Sequence, residues 1–153
     1  TPERQQVVNF TQPYLAGGLV ALVKEGNSTI NSAEDLKGKK ISVQTGTKSV
    51  EWLHTHIPDA QTVEVEKNQQ MFNLVSIGRV DAAVTGKPAA FQYARTRGGV
   101  KILPGSLTSE EYGIAVRKDE AALVGEMNDA LKQLKADGSY QQLVDKWFPN
   151  PVK

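Results

Sequence analysis

Short apolar runs alternate with helix-like stretches between residues 19 and 103, and this alternation limits the fold more than any other feature of the sequence. The first run, LVALV at Leu19–Val23, is continuous and follows two glycines, as expected for a buried strand. Further strands are predicted at Ile41–Val43, Thr62–Val65, Val80–Val84 and Val100–Leu103. Strands that alternate with helices indicate βαβ units, so we predict an α/β fold with a mostly parallel sheet.

The segments between these strands carry helix start and stop signals. A short helix is predicted after Ser32, which can act as its N-cap, and it ends before Gly38. Longer helices are predicted over Lys48–His56, Gln69–Ile77 and Ala89–Thr96. Their apolar residues recur at helical spacing, so each helix can cover one face of the sheet.

The last fifty residues follow a different pattern. Tyr112–Val116 is predicted to form one strand, and two helices follow it, with Asp119 and Ser139 as candidate N-caps. The second helix carries an apolar stripe at i, i+3, i+4, i+7 and i+8, formed by Tyr140, Leu143, Val144, Trp147 and Phe148. This stripe needs a large apolar partner, and the sequence offers no spare sheet face within the chain.

Composition excludes several functional classes. A hydrophobic content of 39% and a charged content of 23% are typical of a globular protein. The net charge of +1, without a basic run, argues against nucleic-acid or membrane-surface binding. With no cysteine, the chain cannot form a disulfide, a thiolate metal site or a Cys nucleophile.

His54 and His56 are two residues apart on a predicted helix and face different directions, so we predict no metal site and no cofactor.

The strongest candidate site is ISVQTGTKSV at Ile41–Val50, where a strand leads through a glycine turn into a helix. The N–H groups at a helix N-terminus favour an anion, and Thr47 and Ser49 add hydroxyls while Lys48 adds charge. The alternative is an ordinary turn with Thr47 as N-cap. A nucleotide P-loop is excluded because Lys48 does not directly follow a glycine.

A second candidate lies in VDAAVTGKP, where the predicted strand ends at Val84. Ligands of α/β sheets bind beyond the carboxyl ends of strands, and Thr85, Gly86 and Lys87 occupy such an end. No Ser-His-Asp arrangement stands out, and Glu110 and Glu111 point apart in an extended segment. We therefore predict no catalytic residues.

Several segments together resemble one family. They are TPERQQVVNFTQPY (Thr1–Tyr14), LVALVKEG (Leu19–Gly26), SAEDLKGKKISVQTGT (Ser32–Thr47), GRVDAAV (Gly78–Val84), SLTSEEYGIAVRKD (Ser106–Asp119) and ALKQLKADGSYQQLVDKWF (Ala130–Phe148). In this order they resemble the periplasmic polar-amino-acid-binding proteins of ABC importers, of the glutamine and basic-amino-acid type. The resemblance implies a periplasmic protein, or a lipid-anchored extracellular one, that binds an amino acid between two α/β lobes and delivers it to a permease.

The resemblance also implies a domain layout. Residues 1–9 would end the first lobe and its crossing segment, and residues 10–105 would form the second lobe, of the periplasmic-binding-protein type II. Residues 106–116, with Glu110, Glu111 and Tyr112, would form the return hinge strand. Residues 117–153 would pack on the first lobe, most of which would precede Thr1. The helices at 119–148 would then contact that missing lobe or a second copy of the chain.

The family pattern further implies individual ligand contacts. Arg4 matches the arginine that clamps the ligand α-carboxylate, and Thr47, Lys48 and Ser49 match the turn that lines the same group. Gln44 matches a position that faces the ligand side chain.

Gly86 stands where the family has an aspartate that accepts the α-ammonium. The loss of such a contact costs roughly 2–5 kcal/mol, or about two orders of magnitude or more in affinity. The glycine is compatible with weakened binding, with a ligand that has no amine, or with a place filled by Lys87.

Two alternatives stay open from the sequence. Some dehydratases resemble these binding proteins and use a carboxylate in the cleft, for which Glu110 or Glu111 would be the candidate. A sensory domain of a receptor would bind the ligand in the same way and signal to a fused partner.

Overall fold

The structure is a computed structural model that describes residues 1–149. It divides into two compact units. Unit 2 is Gly18–Ser109, and unit 1 combines Thr1–Gly17 with the described residues from Glu110 onward. Residues 150–153, the end of the predicted segment 117–153, lie outside the described part of the chain. The predicted α/β class of the fold is confirmed.

The described residues form nine strands and six α-helices. The strands are β1 (Val8–Phe10), β2 (Leu15–Gly17), β3 (Leu19–Lys24), β4 (Lys40–Gln44), β5 (Gln61–Val65), β6 (Ala82–Gly86), β7 (Val100–Ile102), β8 (Glu110–Tyr112) and β9 (Ala115–Arg117). The helices are α1 (Pro2–Val7), α2 (Lys48–His56), α3 (Asn68–Ser76), α4 (Lys87–Arg97), α5 (Ala121–Ala136) and α6 (Ser139–Trp147). None of the helices in residues 1–149 combines the length and the apolar composition needed to cross a bilayer.

Unit 2 is built on a five-stranded sheet in the order β5-β4-β6-β3-β7. β4 pairs in parallel with both β5 and β6, whereas β3 runs antiparallel to its neighbours β6 and β7. Four strands therefore share one direction, and β3 alone opposes them. No α-helix connects β3 to β4, so these two strands do not form a βαβ unit and β3 is not held to the parallel direction.

The core of unit 2 lies on both faces of this sheet. Residues 19–23 of β3 are each at most 5% exposed. Alternate residues enter different clusters, Leu19, Ala21 and Val23 on one face and Val20 and Leu22 on the other. A strand covered on both faces needs apolar residues at every position, which explains the continuous LVALV run.

The helix predicted after Ser32 is only a 3₁₀ turn at Glu34–Leu36, and Ser32 is not its cap. Instead the Asp35 carboxylate accepts hydrogen bonds from the backbone N–H groups of Asn31 and Ser32, at 2.9 and 3.0 Å. These bonds hold the pKa of Asp35 below its usual value. The carboxylate thus closes the loop on its N-terminal side, a role that polar side chains at turns commonly take.

The strand predicted at Tyr112–Val116 is wrong in its extent, because two short strands replace it. β8 pairs with β2, β9 pairs with β1, and Gly113 lies between the two strands. A Cβ at Gly113 would lie 3.1 Å from the carbonyl oxygen of Thr11, so the glycine permits a close backbone approach. Since β1 and β2 pair only with these strands, residues 8–10 and 15–17 group with unit 1.

The predicted caps of the last two helices are also wrong. α5 follows Glu120, while Asp119 forms an ion pair with Arg117 at 3.1 Å. Ser139 is the first residue of α6, and its N–H donates to the Asp137 carboxylate at 2.8 Å. The N-cap residues are Glu120 and Gly138 instead, and neither helix has a side-chain hydrogen bond at its cap.

Unit 1 has little core of its own. Among its described residues only Thr11 and Val116 are buried, and neither α5 nor α6 buries a residue fully. Leu134, Leu143 and Trp147 are 38%, 51% and 44% exposed. The apolar stripe that the sequence predicts on α6 is therefore present but incompletely covered.

We expect Gly18→Ala to lower the free energy of unfolding of the chain by about 2–4 kcal/mol. Gly18 has a φ of +126°, and an added Cβ would overlap the carbonyl oxygen of Thr108. Urea denaturation measures the loss.

Gly26→Ala is the matched control, because Gly26 also has a positive φ, +83°, but has nothing within 4 Å of an added Cβ. It should cost only about 1–2 kcal/mol. Equal losses in the two variants would show that the contact with Thr108 does not constrain Gly18.

Candidate functional site

The two candidate segments of the sequence meet at one edge of the sheet of unit 2. β4 and β6 are parallel neighbours, with Ile41 opposite Ala82, so their carboxyl ends lie side by side. α2 begins shortly after β4, and α4 begins directly after β6. Residues 44–49 and 86–87 therefore share the carboxyl edge, the location where α/β sheets bind ligands.

The start of α2 lacks a side-chain cap. Thr47 occupies the N-cap position, but its hydroxyl donates to the carbonyl oxygen of Gln44 at 2.7 Å and caps no helical N–H. The alternative, an ordinary turn in which the Thr47 side chain caps α2, is therefore wrong. Gly46 adopts a φ of +71°, which turns the chain between strand and helix. First-turn N–H groups without a side-chain cap, at the positive end of a helix, are suited to an anion.

The other residues predicted at this turn have different exposures. Ser49, in the first turn of α2, is 3% exposed, whereas Lys48 is exposed. Gln44 is half-buried, and its side-chain N–H donates to the carbonyl oxygen of Glu66 at 3.0 Å. The amide of Gln44 is thus tied to the loop after β5, and its contact with a ligand side chain stays a prediction.

Gly86 is both the last residue of β6 and the N-cap residue of α4. The predicted end of this strand at Val84 is wrong, because Thr85 and Gly86 continue the pairing with Val20 and Leu19. Gly86 has φ −64° and ψ 139°, an extended conformation that any residue adopts. Backbone geometry therefore does not require a glycine here.

Two lysines stand at helix starts on the carboxyl edge. Lys48 and Lys87 are the first residues of α2 and α4, and each helix adds the positive end of its dipole. The Lys87 ammonium lies 5.8 Å from the ring centre of Phe91 and its backbone N–H donates to the carbonyl oxygen of Gly18 at 2.9 Å. The two helix starts attract a carboxylate more readily than an ammonium group.

Sequence reasoning missed a third contribution to this edge, which comes from the start of β3. The N–H of Leu19 donates to the hydroxyl of Thr108 at 2.9 Å, and the N–H of Leu107 donates to the carbonyl oxygen of Leu19 at 2.7 Å. No local motif marks Thr108. The glycine pair at 17–18 was the only available signal, because it indicates a close backbone approach.

Arg4 and the predicted hinge residues belong to unit 1. Arg4 is exposed on α1, and its backbone N–H donates to the hydroxyl of Thr1 at 3.4 Å. In β8, Glu110 and Glu111 are successive residues, so their side chains leave opposite faces of the strand. The carboxylates are therefore not arranged as an acid–base pair.

Tyr112 packs against the facing strand β2. An added Cβ on Gly17 would overlap the ring of Tyr112, so the glycine makes room for it. Burial raises the pKa of the Tyr112 phenol, with smaller contributions from Glu110 and Tyr14. The ring is thus a packing element of unit 1, and its role in a hinge stays a prediction.

Comparison with known proteins identifies the family. The profile of the bacterial extracellular solute-binding proteins, family 3, matches residues 1–150, and the chain belongs to this family. It is 34% identical to the ABC transporter arginine-binding protein 1 of Escherichia coli K12, over 97% of this chain and 63% of that protein. It is also 34% identical to the ABC transporter glutamine-binding protein GlnH of Bacillus subtilis 168, over 97% of this chain and 54% of GlnH. The resemblance to amino-acid-binding proteins is confirmed.

Solved structures agree with this assignment. The ancestral cationic amino acid solute-binding protein AncCDT-1 matches with a TM-score of 0.86 and 40% identity, over 97% of this chain and 65% of that one. Another structure of AncCDT-1 is described as an amino acid-binding protein and a precursor of cyclohexadienyl dehydratase. The chain spans less than two thirds of the length of each of these three proteins.

We expect Thr47→Asp to lower the free energy of unfolding less than Thr47→Val does, because both lose the hydroxyl that donates to Gln44 but only the carboxylate can accept from the first-turn N–H groups of α2. Thr47→Val is the control. It keeps the shape but removes the hydroxyl that donates to Gln44, and it should destabilise by about 0.5–1.5 kcal/mol. Thermal and urea unfolding measure both changes. Equal destabilisation by the two variants would mean that α2 gains nothing from an N-cap acceptor.

Proposed function

We propose that this chain binds a small polar amino acid and delivers it to the permease of an ABC importer. The observation that carries the proposal is the start of α2, where the Thr47 hydroxyl donates to Gln44 and leaves the helix without a side-chain cap. The ligand α-carboxylate would accept from the N–H groups there, next to the positive start of α4. Binding would occur outside the cytoplasm, where the proteins of this family act.

Two further contacts are proposed from the family pattern. Arg4 would clamp the same carboxylate with its guanidinium, and Gln44 would face the ligand side chain. β8, with Glu110, Glu111 and Tyr112, would carry the return crossing of a hinge that closes the two lobes on the ligand. We take arginine and glutamine as the first ligands to test, because the similar proteins are named for them.

An enzymatic role gains no support from β8. The only carboxylates proposed for it, Glu110 and Glu111, leave opposite faces of the strand. AncCDT-1 is itself described as an amino acid-binding protein. A binding function is therefore the single proposal.

Gly86 should limit the affinity of this cleft. We expect Gly86→Asp to tighten the binding of arginine or glutamine by about two orders of magnitude or more, because the new carboxylate would accept from the ligand ammonium. Isothermal titration calorimetry of the chain, alone and in a longer protein that carries both lobes, measures the change.

Gly86→Asn is the matched control, since it has a similar size but no charge, and it should gain much less. Micromolar binding with Gly86 in place, unchanged in the Asp variant, would refute the role given to this position. Absence of heat with every variant of the two-lobed protein would refute the binding function itself.

The apolar face of the last two helices should bind a partner. We propose that Leu134, Leu143 and Trp147 contact either the first lobe of a longer protein or a second copy of this chain. In a sample that contains only these 153 residues, the second copy is the available partner. Such an exposed apolar face on a unit with few buried residues favours association.

Light scattering at high protein concentration should therefore detect a dimer or a larger oligomer of the 153-residue chain. Leu143→Glu should shift the population to monomer, because a carboxylate cannot enter an apolar interface without a large cost. Ile77→Glu is the control, as Ile77 is 65% exposed but lies in unit 2. A monodisperse monomer for the unchanged chain would contradict the proposed exchange between copies.

A further inference from the structure

Three hydrogen bonds join the start of β3 to the segment after β7 and to the start of α4. The N–H of Leu19 donates to the hydroxyl of Thr108 at 2.9 Å, and the N–H of Leu107 donates to the carbonyl oxygen of Leu19 at 2.7 Å. On the other side, the N–H of Lys87 donates to the carbonyl oxygen of Gly18 at 2.9 Å. All five residues belong to unit 2, so these contacts lie within one compact unit.

Of these three bonds, only the one to Thr108 depends on the identity of a side chain. The other two join backbone groups, which most residues would supply equally well. Leu19 is the first residue of β3 and is only 5% exposed. Removal of the Thr108 hydroxyl would therefore take the acceptor from an N–H at a buried position, which is costly.

The start of β3 in turn holds two residues of the proposed amino-acid site. Leu19 is paired with Gly86, and the carbonyl oxygen of Gly18 accepts from the first N–H of α4. An added Cβ on Gly18 would overlap the carbonyl oxygen of Thr108, so the two backbones also approach closely. The Thr108 hydroxyl and the start of α4 are therefore connected through two consecutive residues of β3 and its approach.

We propose that Thr108 is a positioning residue of the amino-acid site. Its hydroxyl fixes the start of β3, and the start of β3 fixes Gly86 and Lys87 at the carboxyl edge. Thr108 acts through Leu19 and Gly18, without a contact of its own to the ligand. The proposal rests on the proposed function, because it assigns the role of Thr108 within that same site.

The position of this contact in the chain gives it a second consequence. β2 ends at Gly17, directly before Gly18, and β8 begins at Glu110, two residues after Thr108. Both chain crossings therefore leave unit 2 next to the bond between Leu19 and Thr108. Since coupling between sites is reciprocal, a ligand held at Gly86 and Lys87 should also strengthen this bond.

Amide hydrogen exchange of the ¹⁵N-labelled chain tests the contact without any ligand. Thr108→Val keeps the shape of the side chain but removes the acceptor of the Leu19 N–H. Exchange should become about tenfold faster at Leu19 and Lys87, and the increase at Leu22 in the middle of β3 should be much smaller. Thr108→Ser keeps the hydroxyl and should retain the slow exchange at Lys87.

The affinity for the amino acid is the second measurement. Calorimetric titration with arginine or glutamine, of the chain and of the two-lobed protein, should show binding that is about threefold or more weaker for Thr108→Val. The ligand must then restore the start of β3 before the site is complete, which lowers the apparent affinity. Thr108→Ser should stay within about twofold of the unchanged protein.

Val23→Ala is the matched control at the opposite end of β3. Val23 is 0% exposed and pairs with Ala82, so the loss of two methyl groups should destabilise the chain at least as much as Thr108→Val does. Because the start of β3 is left intact, the affinity for the amino acid should change less than about twofold. Urea denaturation compares the stabilities of the two variants.

Three results would overturn the role of Thr108. Equal increases of exchange at Lys87 and Leu22 in Thr108→Val would indicate a general loss of stability. Unchanged affinity despite faster exchange at Lys87 would leave Thr108 a structural residue only. Equal weakening in Thr108→Ser and Thr108→Val would show that the hydroxyl is not the group that matters.

Failure of the proposed function would be seen separately. If the unchanged chain and the two-lobed protein bind neither arginine nor glutamine, the ligand part of the proposal falls with the proposed function. The exchange at Lys87 still decides whether Thr108 holds the start of α4, because that measurement needs no ligand.

Discussion

The rest of unit 2 depends on the pairing of β3 with β6 on one side and β7 on the other. β3 is the only strand of this sheet that opposes the others, and its apolar residues contribute to the clusters on both faces. Full burial of one such side chain is worth about 1.5–3 kcal/mol. A defect in β3 would therefore weaken two layers of the core together, whereas a defect in an outer helix would weaken one.

The same pairing sets the geometry of the proposed site. Leu19 pairs with Gly86 and so extends β6 to the residue before α4, while its N–H and carbonyl hold Thr108 and Leu107. The parallel pair of β4 and β6 then brings the start of α2 to the same edge. The proposed site thus combines the start of α2, which favours a carboxylate, with Gly86, which has no side chain to pair with an ammonium. In the proposed site the two ends of an amino acid would therefore be recognised unequally, because Gly86 offers no carboxylate to the ammonium.

The sequence predicted α2 with its correct bounds and located the buried run of β3, because helix signals and continuous apolar residues are local. It could not predict that the Thr47 hydroxyl donates to Gln44, since this is a choice between competing local hydrogen bonds. It also failed to predict the split into β8 and β9. That split depends on β1 and β2, which are separated from them by the whole of unit 2.

Unit 1 shows how the two units depend on each other through chain connectivity. Its strand pairs join residues at the two ends of unit 2, and closing a loop of roughly ninety residues costs about 4 kcal/mol. Unit 1, with only two buried residues among those the structure describes, has little to offset that cost. Once unit 2 has folded, most of this loop-closure cost has already been met. The hydrogen bond from Leu19 to Thr108 then holds the two ends of unit 2 close together. The start of β3 therefore serves two purposes: it completes the carboxyl edge, and it brings together the segments from which unit 1 is built.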